Sequence, residues 1–168
     1  MMRDRGWSYF AHEKYALPFY MDKFCAAPED KKWGMISAFE VLEHLPNPRA
    51  TLDLILRSAT AYVFFTTGLW EGQGRDWDYL APVQGHHIFF YTRKALQLAA
   101  QKYGYELHDL GFAQCFARPD LRERLSVLKS PDFGQKVLHA FLRHQQNPYQ
   151  YAARDNADLV RQQSVTAR

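Results

Sequence analysis

Two carboxylates and an imidazole lie within five residues, at Glu40, Glu43 and His44. Groups that gain or lose a proton near neutral pH are typical of acid–base catalysis when they lie this close together. A helical turn over this stretch would place all three side chains on one face, at i, i+3 and i+4. The alternative is a solvated turn with a local ion pair, which contributes little to stability.

The elements on either side place this cluster where α/β proteins bind ligands. The apolar run Trp33–Phe39 predicts a buried strand before it. Asn47 and Pro48 predict the start of a helix after it, with Asn47 as the N-cap and Pro48 in the first turn. Open α/β sheets bind ligands beyond the carboxyl ends of their strands, so the cluster is predicted to belong to a functional site.

The rest of the chain alternates between strand and helix patterns. Extended segments are predicted at 7–12, 33–39, 61–67 and 86–91, and an antiparallel hairpin at 105–109 and 112–117. Helices are predicted after Asn47, Thr92 and Ser130. Two inward faces are predicted for the first two helices: Leu52, Ile55, Leu56 and Ala59, then Ala95, Leu98, Ala99 and Tyr103, with Gly104 closing the second helix. The alternation predicts a doubly wound α/β sheet in a single domain over residues 1–150, followed by a polar tail or helix at 151–168.

Composition and charge exclude several classes of function. A chain of 168 residues, 47% of them hydrophobic, can form a domain with a sizeable core. The net charge of +3 is scattered without a basic stripe, so nucleic acid is not predicted as a partner. No apolar run reaches membrane-spanning length, and no signal-peptide core follows the charged N-terminus. Two distant cysteines, Cys25 and Cys115, predict reduced thiols and a cytoplasmic protein.

Further candidate site residues come later in the chain. His87 is predicted to face a pocket and His86 the opposite side, because neighbours alternate in extended chain. The alternative for His87 is a core histidine bonded to backbone. No metal site is predicted, since His44, His86 and His87 lack the short spacing typical of ligands.

The loop over residues 68–85 carries Trp70, Trp77 and Tyr79 among acidic residues. Such a loop favours a polar, ring-bearing ligand such as a sugar, which it would bind by stacking and hydrogen bonding. The alternative is a loop that packs its own aromatic side chains over the sheet.

The ordered motifs resemble class I S-adenosylmethionine-dependent methyltransferases, in the subgroup with E-x-L-E-H-L after a strand. The resembling segments are Arg3-Asp4-Arg5-Gly6, Glu13-Lys14-Tyr15, residues 37–45, Phe65-Thr66-Thr67, Trp77-x-Tyr79 and residues 87–92. The resemblance implies a Rossmann-like methyltransferase sheet, S-adenosylmethionine as cofactor, and methyl transfer to an oxygen or nitrogen of a small-molecule acceptor.

The resemblance also implies residue roles. Glu13 matches the acidic residue that accepts hydrogen bonds from the ribose hydroxyls of the cofactor. Three residues match the strand end that lines the methionine portion of the cofactor: Ala38, Phe39 and Glu40. Glu43, His44 and His87 fall where the family faces the methyl acceptor. One of the two histidines is the expected base, because an imidazole pKa lies near neutral pH.

One part of the family pattern is missing from the sequence. No G-x-G-x-G joins a strand to a helix, and the nearest glycines, Gly72 and Gly74, fall in the late loop. We therefore expect a sheet without its first strand, in a chain whose start has been assigned too late; a fragment and a degenerate paralogue are the alternatives.

Two further alternatives stay open. One is a non-catalytic remnant or assembly module that cannot hold the cofactor alone, and the other is a subunit, a homo-oligomer included, whose sheet edge a partner strand completes.

Overall fold

A computed structural model describes residues 8–13, 24–83 and 85–129 of the chain. The chain divides into two units, and Phe10–Lys129 is the one that carries all the elements named below. The other unit has only Ser8 and Tyr9 among the described residues. The helix predicted after Ser130 and the tail predicted at 151–168 lie outside these residues, and a single domain over 1–150 stays a prediction.

Four strands form one mixed sheet in the order β1–β2–β4–β3. They are β1 (Trp33–Phe39), β2 (Ala59–Thr66), β3 (Glu106–Asp109) and β4 (Gln114–Ala117). β1 runs parallel to β2, whereas β4 is antiparallel to both β2 and β3. With its helices the sheet makes a mixed α/β fold, which confirms the predicted class. A doubly wound sheet that lacks its first strand stays a prediction.

Two α-helices follow from the capping residues that the sequence indicates. Helix α1 (Pro48–Ser58) begins after Asn47, whose side-chain oxygen accepts a hydrogen bond from the Ala50 amide at 3.3 Å. Helix α2 (Arg93–Lys102) begins after Thr92, whose hydroxyl accepts one from the Ala95 amide at 3.1 Å. Both predicted caps are confirmed. Within the described ranges, every helix is too short or too polar to span a bilayer.

The predicted inward face of α2 is wrong in part. Leu96 and Ala100 are fully buried, whereas Leu98, predicted to face inward, is 58% exposed. Ala99 and Tyr103 pack against the core as predicted, and with Leu96 and Ala100 they complete an i, i+3, i+4, i+7 stripe. The sequence pattern does not distinguish the two faces, because Leu98 and Ala95 are as apolar as the buried Leu96 and Ala100.

Ala59 is also misassigned by the helical pattern. It is buried as predicted, but it is the first residue of β2 and has extended backbone, with φ −72° and ψ 148°. The chain passes from helix to strand there without a loop, so one apolar pattern continues across both elements.

Side chains of β2 alternate between two apolar clusters, one on each face of the sheet. Val63 and Phe65 belong to the cluster that α1 and α2 cover, in which Phe65 stacks on Phe116 at 4.7 Å between ring centroids. Tyr62 and Phe64 pack against the cluster on the other face. This two-residue period is what a strand covered on both faces requires.

We expect Tyr105→Phe to lower the free energy of unfolding by about 1–2 kcal/mol. The buried Tyr105 hydroxyl donates to the Ala59 carbonyl at 2.6 Å, where α1 passes into β2. Urea denaturation measures the change. Tyr62→Phe is the matched control, because among the described residues the Tyr62 hydroxyl makes no hydrogen bond. An equal loss in both variants would contradict the assignment.

Candidate active site

The candidate site begins where β1 ends, at a turn held by a neighbouring strand. Glu40 follows the last residue of β1 with φ at 50°, a left-handed conformation that costs energy in a non-glycine residue. The Glu40 amide donates to the Thr66 hydroxyl at the end of β2, at 2.9 Å. Hydrogen bonding from Thr66 is also the main reason why the pKa of the Glu40 carboxyl is lowered. The exposed Glu40 carboxylate is therefore charged at neutral pH.

The helical turn expected over Glu40–His44 is shorter than predicted. A single 3-10 turn covers Leu42–His44, and Glu40 lies outside it. Leu42 is buried in the core and anchors this turn. Glu40 and Glu43 therefore do not share a helix face, and what joins them is the phenol of Tyr79 from a distant loop.

Glu43 is a completely buried carboxylate. One oxygen, Oε1, accepts a hydrogen bond from the Tyr79 hydroxyl at 2.8 Å. The other oxygen, Oε2, is buried and has no hydrogen-bond partner within the described ranges. The backbone carbonyl of Glu43 accepts bonds from the amides of Ile88 and Phe89, at 2.9 and 3.2 Å. An ionised carboxylate in this position is costly unless a proton or a cation compensates it.

Two imidazoles approach this carboxylate, each held through Nδ1. The Nδ1 atom of His44 lies 2.9 Å from the His86 carbonyl, and that of His87 lies 2.6 Å from the Tyr79 carbonyl. A carbonyl only accepts, so Nδ1 carries the proton in both neutral rings and Nε2 keeps its lone pair. The Nε2 atom of His44 is 3.9 Å from Oε1 of Glu43, and the two rings lie 4.9 Å apart.

Glu43, His44 and His87 therefore form the centre of the site. Each offers one ligand atom, and these atoms all lie within 4.8 Å of one another. Two imidazoles and one carboxylate suit a divalent transition-metal ion, and an Nδ1–H bonded to a carbonyl is the usual support of a metal-binding histidine. This set of possible ligands differs from the three histidines that the sequence analysis considered. Glu43 replaces His86 in the set, because His86 contributes only its backbone carbonyl, as a partner of His44.

The expectation that His86 faces away from the cluster is wrong. Its ring is exposed but lies edge-on to His44, with 6.4 Å between ring centroids. Residues 86–90 form no regular strand, so the alternation of an extended segment does not apply.

The residues expected at the cofactor differ in exposure. Phe39 is 54% exposed, whereas Ala38 is buried in the core. Glu13 is exposed and follows Ala11, which forms a parallel bridge with Cys25. Glu13 thus lies just past the end of an extended pair, the position in which the resemblance places a ribose-binding carboxylate. Contact with a cofactor stays a prediction for all three residues and for Glu40.

Two aromatic side chains of the loop pack against each other and against rings that follow the loop in the chain. Trp77 lies 5.3 Å from Tyr79 and 5.4 Å from Phe90, and Tyr79 lies 4.4 Å from His87, all between ring centroids. Trp77 and Tyr79 are therefore packed against neighbouring rings, as the self-packing alternative requires, whereas Trp70 is 46% exposed. The role of Tyr79 beside both carboxylates was missed on sequence, because only its aromatic character was considered there.

We expect Glu43→Gln to leave the protein as stable as the wild type or to raise its free energy of unfolding by about 1 kcal/mol. The amide oxygen still accepts from Tyr79, whereas the buried negative charge is removed. Urea denaturation at neutral pH measures this, with Glu29→Gln as the exposed control. A loss above about 1 kcal/mol would mean that the charge itself stabilises the fold.

Comparison with known protein families gives one match. A family model described as "Methyltransferase domain" matches residues 2–110, more than half of the chain. The matched range contains β1, β2, both helices and all the residues of the site. Neither the curated proteins nor the solved structures include a significant match to the chain. With its strand-end site and this family match, the chain belongs to the class I S-adenosylmethionine-dependent methyltransferases.

Proposed function

We propose that this protein transfers a methyl group from S-adenosylmethionine to an oxygen or nitrogen atom of a small polar molecule. The observation that carries the proposal is the buried Glu43 beside two imidazoles, each with its Nδ1 against a backbone carbonyl, at the carboxyl end of β1. This is the edge of an α/β sheet at which substrates bind. Trp77 and Tyr79 are packed against neighbouring rings and give no support to a sugar in particular.

The end of β1 fits the methionine part of the cofactor. The sulfonium is a fixed cation, and Phe39 and Glu40 offer it an exposed aromatic ring and an ionised carboxylate in succession. Aromatic faces and carboxylates both attract cations. Ala38 and Glu13 complete the proposed cofactor contacts by resemblance to the family.

The residues of the site then serve the acceptor. S-adenosylmethionine supplies a methyl group bound to a sulfonium sulfur. When a lone pair of the acceptor takes the methyl group, the carbon–sulfur bond breaks and the rest of the cofactor leaves as a neutral thioether. The acceptor loses a proton in this reaction, and Nε2 of His44 or His87 accepts it. The side chain of His44 is 39% exposed and can return that proton to water.

A second candidate assigns the same side chains to a divalent cation that binds the acceptor. The buried Oε2 of Glu43, without a partner within the described ranges, favours it. An imidazole that ligates a cation through Nε2 cannot accept a proton there, so the two assignments exclude each other.

The proposal extends to location and partners. We place the protein in the cytoplasm on the strength of two free cysteines, Cys25 and the buried Cys115. The proposed partner is the methyl acceptor, with neither nucleic acid nor membrane involved, and a homo-oligomer is kept as an alternative. The rival function is a non-catalytic module, since the glycine-rich cofactor turn is missing from the sequence.

We expect titration calorimetry to show that S-adenosylmethionine binds and that Glu40→Gln weakens its binding about tenfold. The same variant should bind S-adenosylhomocysteine almost as the wild type does, because that thioether has no sulfonium charge. Glu29→Gln, which changes another exposed carboxylate, serves as the control. Absence of heat with either ligand, in a protein folded by circular dichroism, would support the non-catalytic alternative.

We expect the cation assignment to be decided by titration with Zn²⁺ or Mn²⁺. If it holds, one ion binds per chain and His87→Ala abolishes that binding, whereas His86→Ala retains it because only the His86 carbonyl supports the site. If the wild type binds neither ion, the imidazoles are left as proton acceptors. Equal loss of binding in both variants would contradict the ligand set.

A further inference from the structure

Tyr79 contacts three of the candidate site residues through two different groups. Its hydroxyl lies 2.8 Å from Oε1 of Glu43 and 3.2 Å from Oε2 of Glu40. Its backbone carbonyl accepts the hydrogen bond from Nδ1 of His87 at 2.6 Å. One residue of the loop thus fixes a buried carboxylate, an exposed carboxylate and the tautomer of an imidazole.

The ring of Tyr79 is held against the backbone of Gly68, two residues after the end of β2. A Cβ atom at Gly68 would lie closer to the Tyr79 ring than real Cβ contacts come. Gly68 is not among the residues with positive φ, so it is the space it leaves, rather than its backbone conformation, that the structure uses. Any side chain at this position must displace Tyr79.

The loop also holds Tyr79 from its other side. Tyr79 is the central residue of a 3-10 turn over Asp78–Leu80, which Ala81 closes in the left-handed conformation at φ 43°. Its ring contacts Trp77 and Phe90 at 5.3 and 6.3 Å between centroids. A residue packed on all these sides has one orientation, which gives its hydroxyl and carbonyl fixed positions.

A phenol has a single proton for two carboxylates. The shorter contact gives that proton to the buried Glu43, while Glu40 keeps the hydrogen bonding from Thr66. Burial raises the pKa of Tyr79, so its hydroxyl stays a donor at neutral pH. The Tyr79 hydroxyl is the donor to Oε1 of Glu43, and Oε2 has no hydrogen-bond partner within the described ranges, so removal of the phenol takes this donor from a buried carboxylate.

We propose that Tyr79 is a positioning residue of the active site. Its hydroxyl holds the Glu43 carboxylate, and its carbonyl holds His87 in the tautomer whose Nε2 is free to act, with Gly68 providing the space for the ring. Tyr79 acts through Glu43 and His87, so it is required whether these residues accept a proton or bind a cation. The effect on activity rests on the proposed function, but the effect on the His87 tautomer does not.

The carbonyl contact is tested by nitrogen-15 NMR of histidine-labelled protein. In the wild type we expect the neutral His87 to carry its proton on Nδ1. Gly68→Ala displaces Tyr79 and shifts His87 toward the Nε2–H tautomer. Gly74→Ala lies in the same loop with no atom within 4 Å of the added Cβ, so it should leave the tautomer unchanged. Wild-type signals of His87 in a folded Gly68→Ala protein would overturn the proposal. If Gly68→Ala does not fold, Tyr79→Ala replaces it.

The hydroxyl contact is tested with Tyr79→Phe, which keeps both the ring and the carbonyl. The carbon-13 carboxyl signal of Glu43 should move while the tautomer of His87 stays as in the wild type. If a methyl acceptor is found, we expect kcat of Tyr79→Phe to be about tenfold or more below the wild-type value. Its KM for the cofactor should stay within twofold of the wild-type value. Tyr62→Phe is the control. An unmoved Glu43 signal would overturn the proposal even if no acceptor is found. If the wild-type protein has no methyltransferase activity, that result contradicts only the proposed function.

Discussion

The burial of one carboxylate constrains the whole site. Glu43 is fully enclosed, and a charge in such a place needs partners that water no longer supplies. The protein provides a phenol for one carboxylate oxygen and two imidazoles close by, while the amides of Ile88 and Phe89 bond the backbone carbonyl of Glu43. The remaining oxygen has no partner within the described ranges, and this leaves the site ready for a proton or a cation.

The sheet brings the residues of the candidate site together at one of its edges. β1 and β2 are parallel, so Phe39 and Thr66 end side by side, and Thr66 fixes the turn at Glu40. The buried Leu42 then anchors the turn that carries Glu43 and His44. The later loop returns Tyr79 and His87 to the same place, with Gly68 as the point of closest approach. Segments separated by more than thirty residues thus share one hydrogen-bond network.

Local signals in the sequence were sufficient for the elements nearest to the site. Asn47 and Thr92 cap the two helices because a short polar side chain can reach the free amides of the first turn. Trp33–Phe39 is a strand as predicted. The buried face of α2 was misassigned, since Leu96 and Leu98 are equally apolar and only the position of the sheet decides which is covered. Ala59 was placed in a helix because helix and strand follow each other without a polar break.

The sequence by itself determined the family and supplied the candidate site residues: the E-x-L-E-H-L segment, the later histidine pair and their order along the chain. These are properties of short segments, which depend on neighbouring residues alone. Only the tertiary structure decided that Glu43 is buried while Glu40 stays exposed, that His86 supports His44 through its carbonyl, and that Tyr79 joins the two carboxylates. Burial and hydrogen-bond partners arise from contacts between distant segments, and no local pattern specifies them.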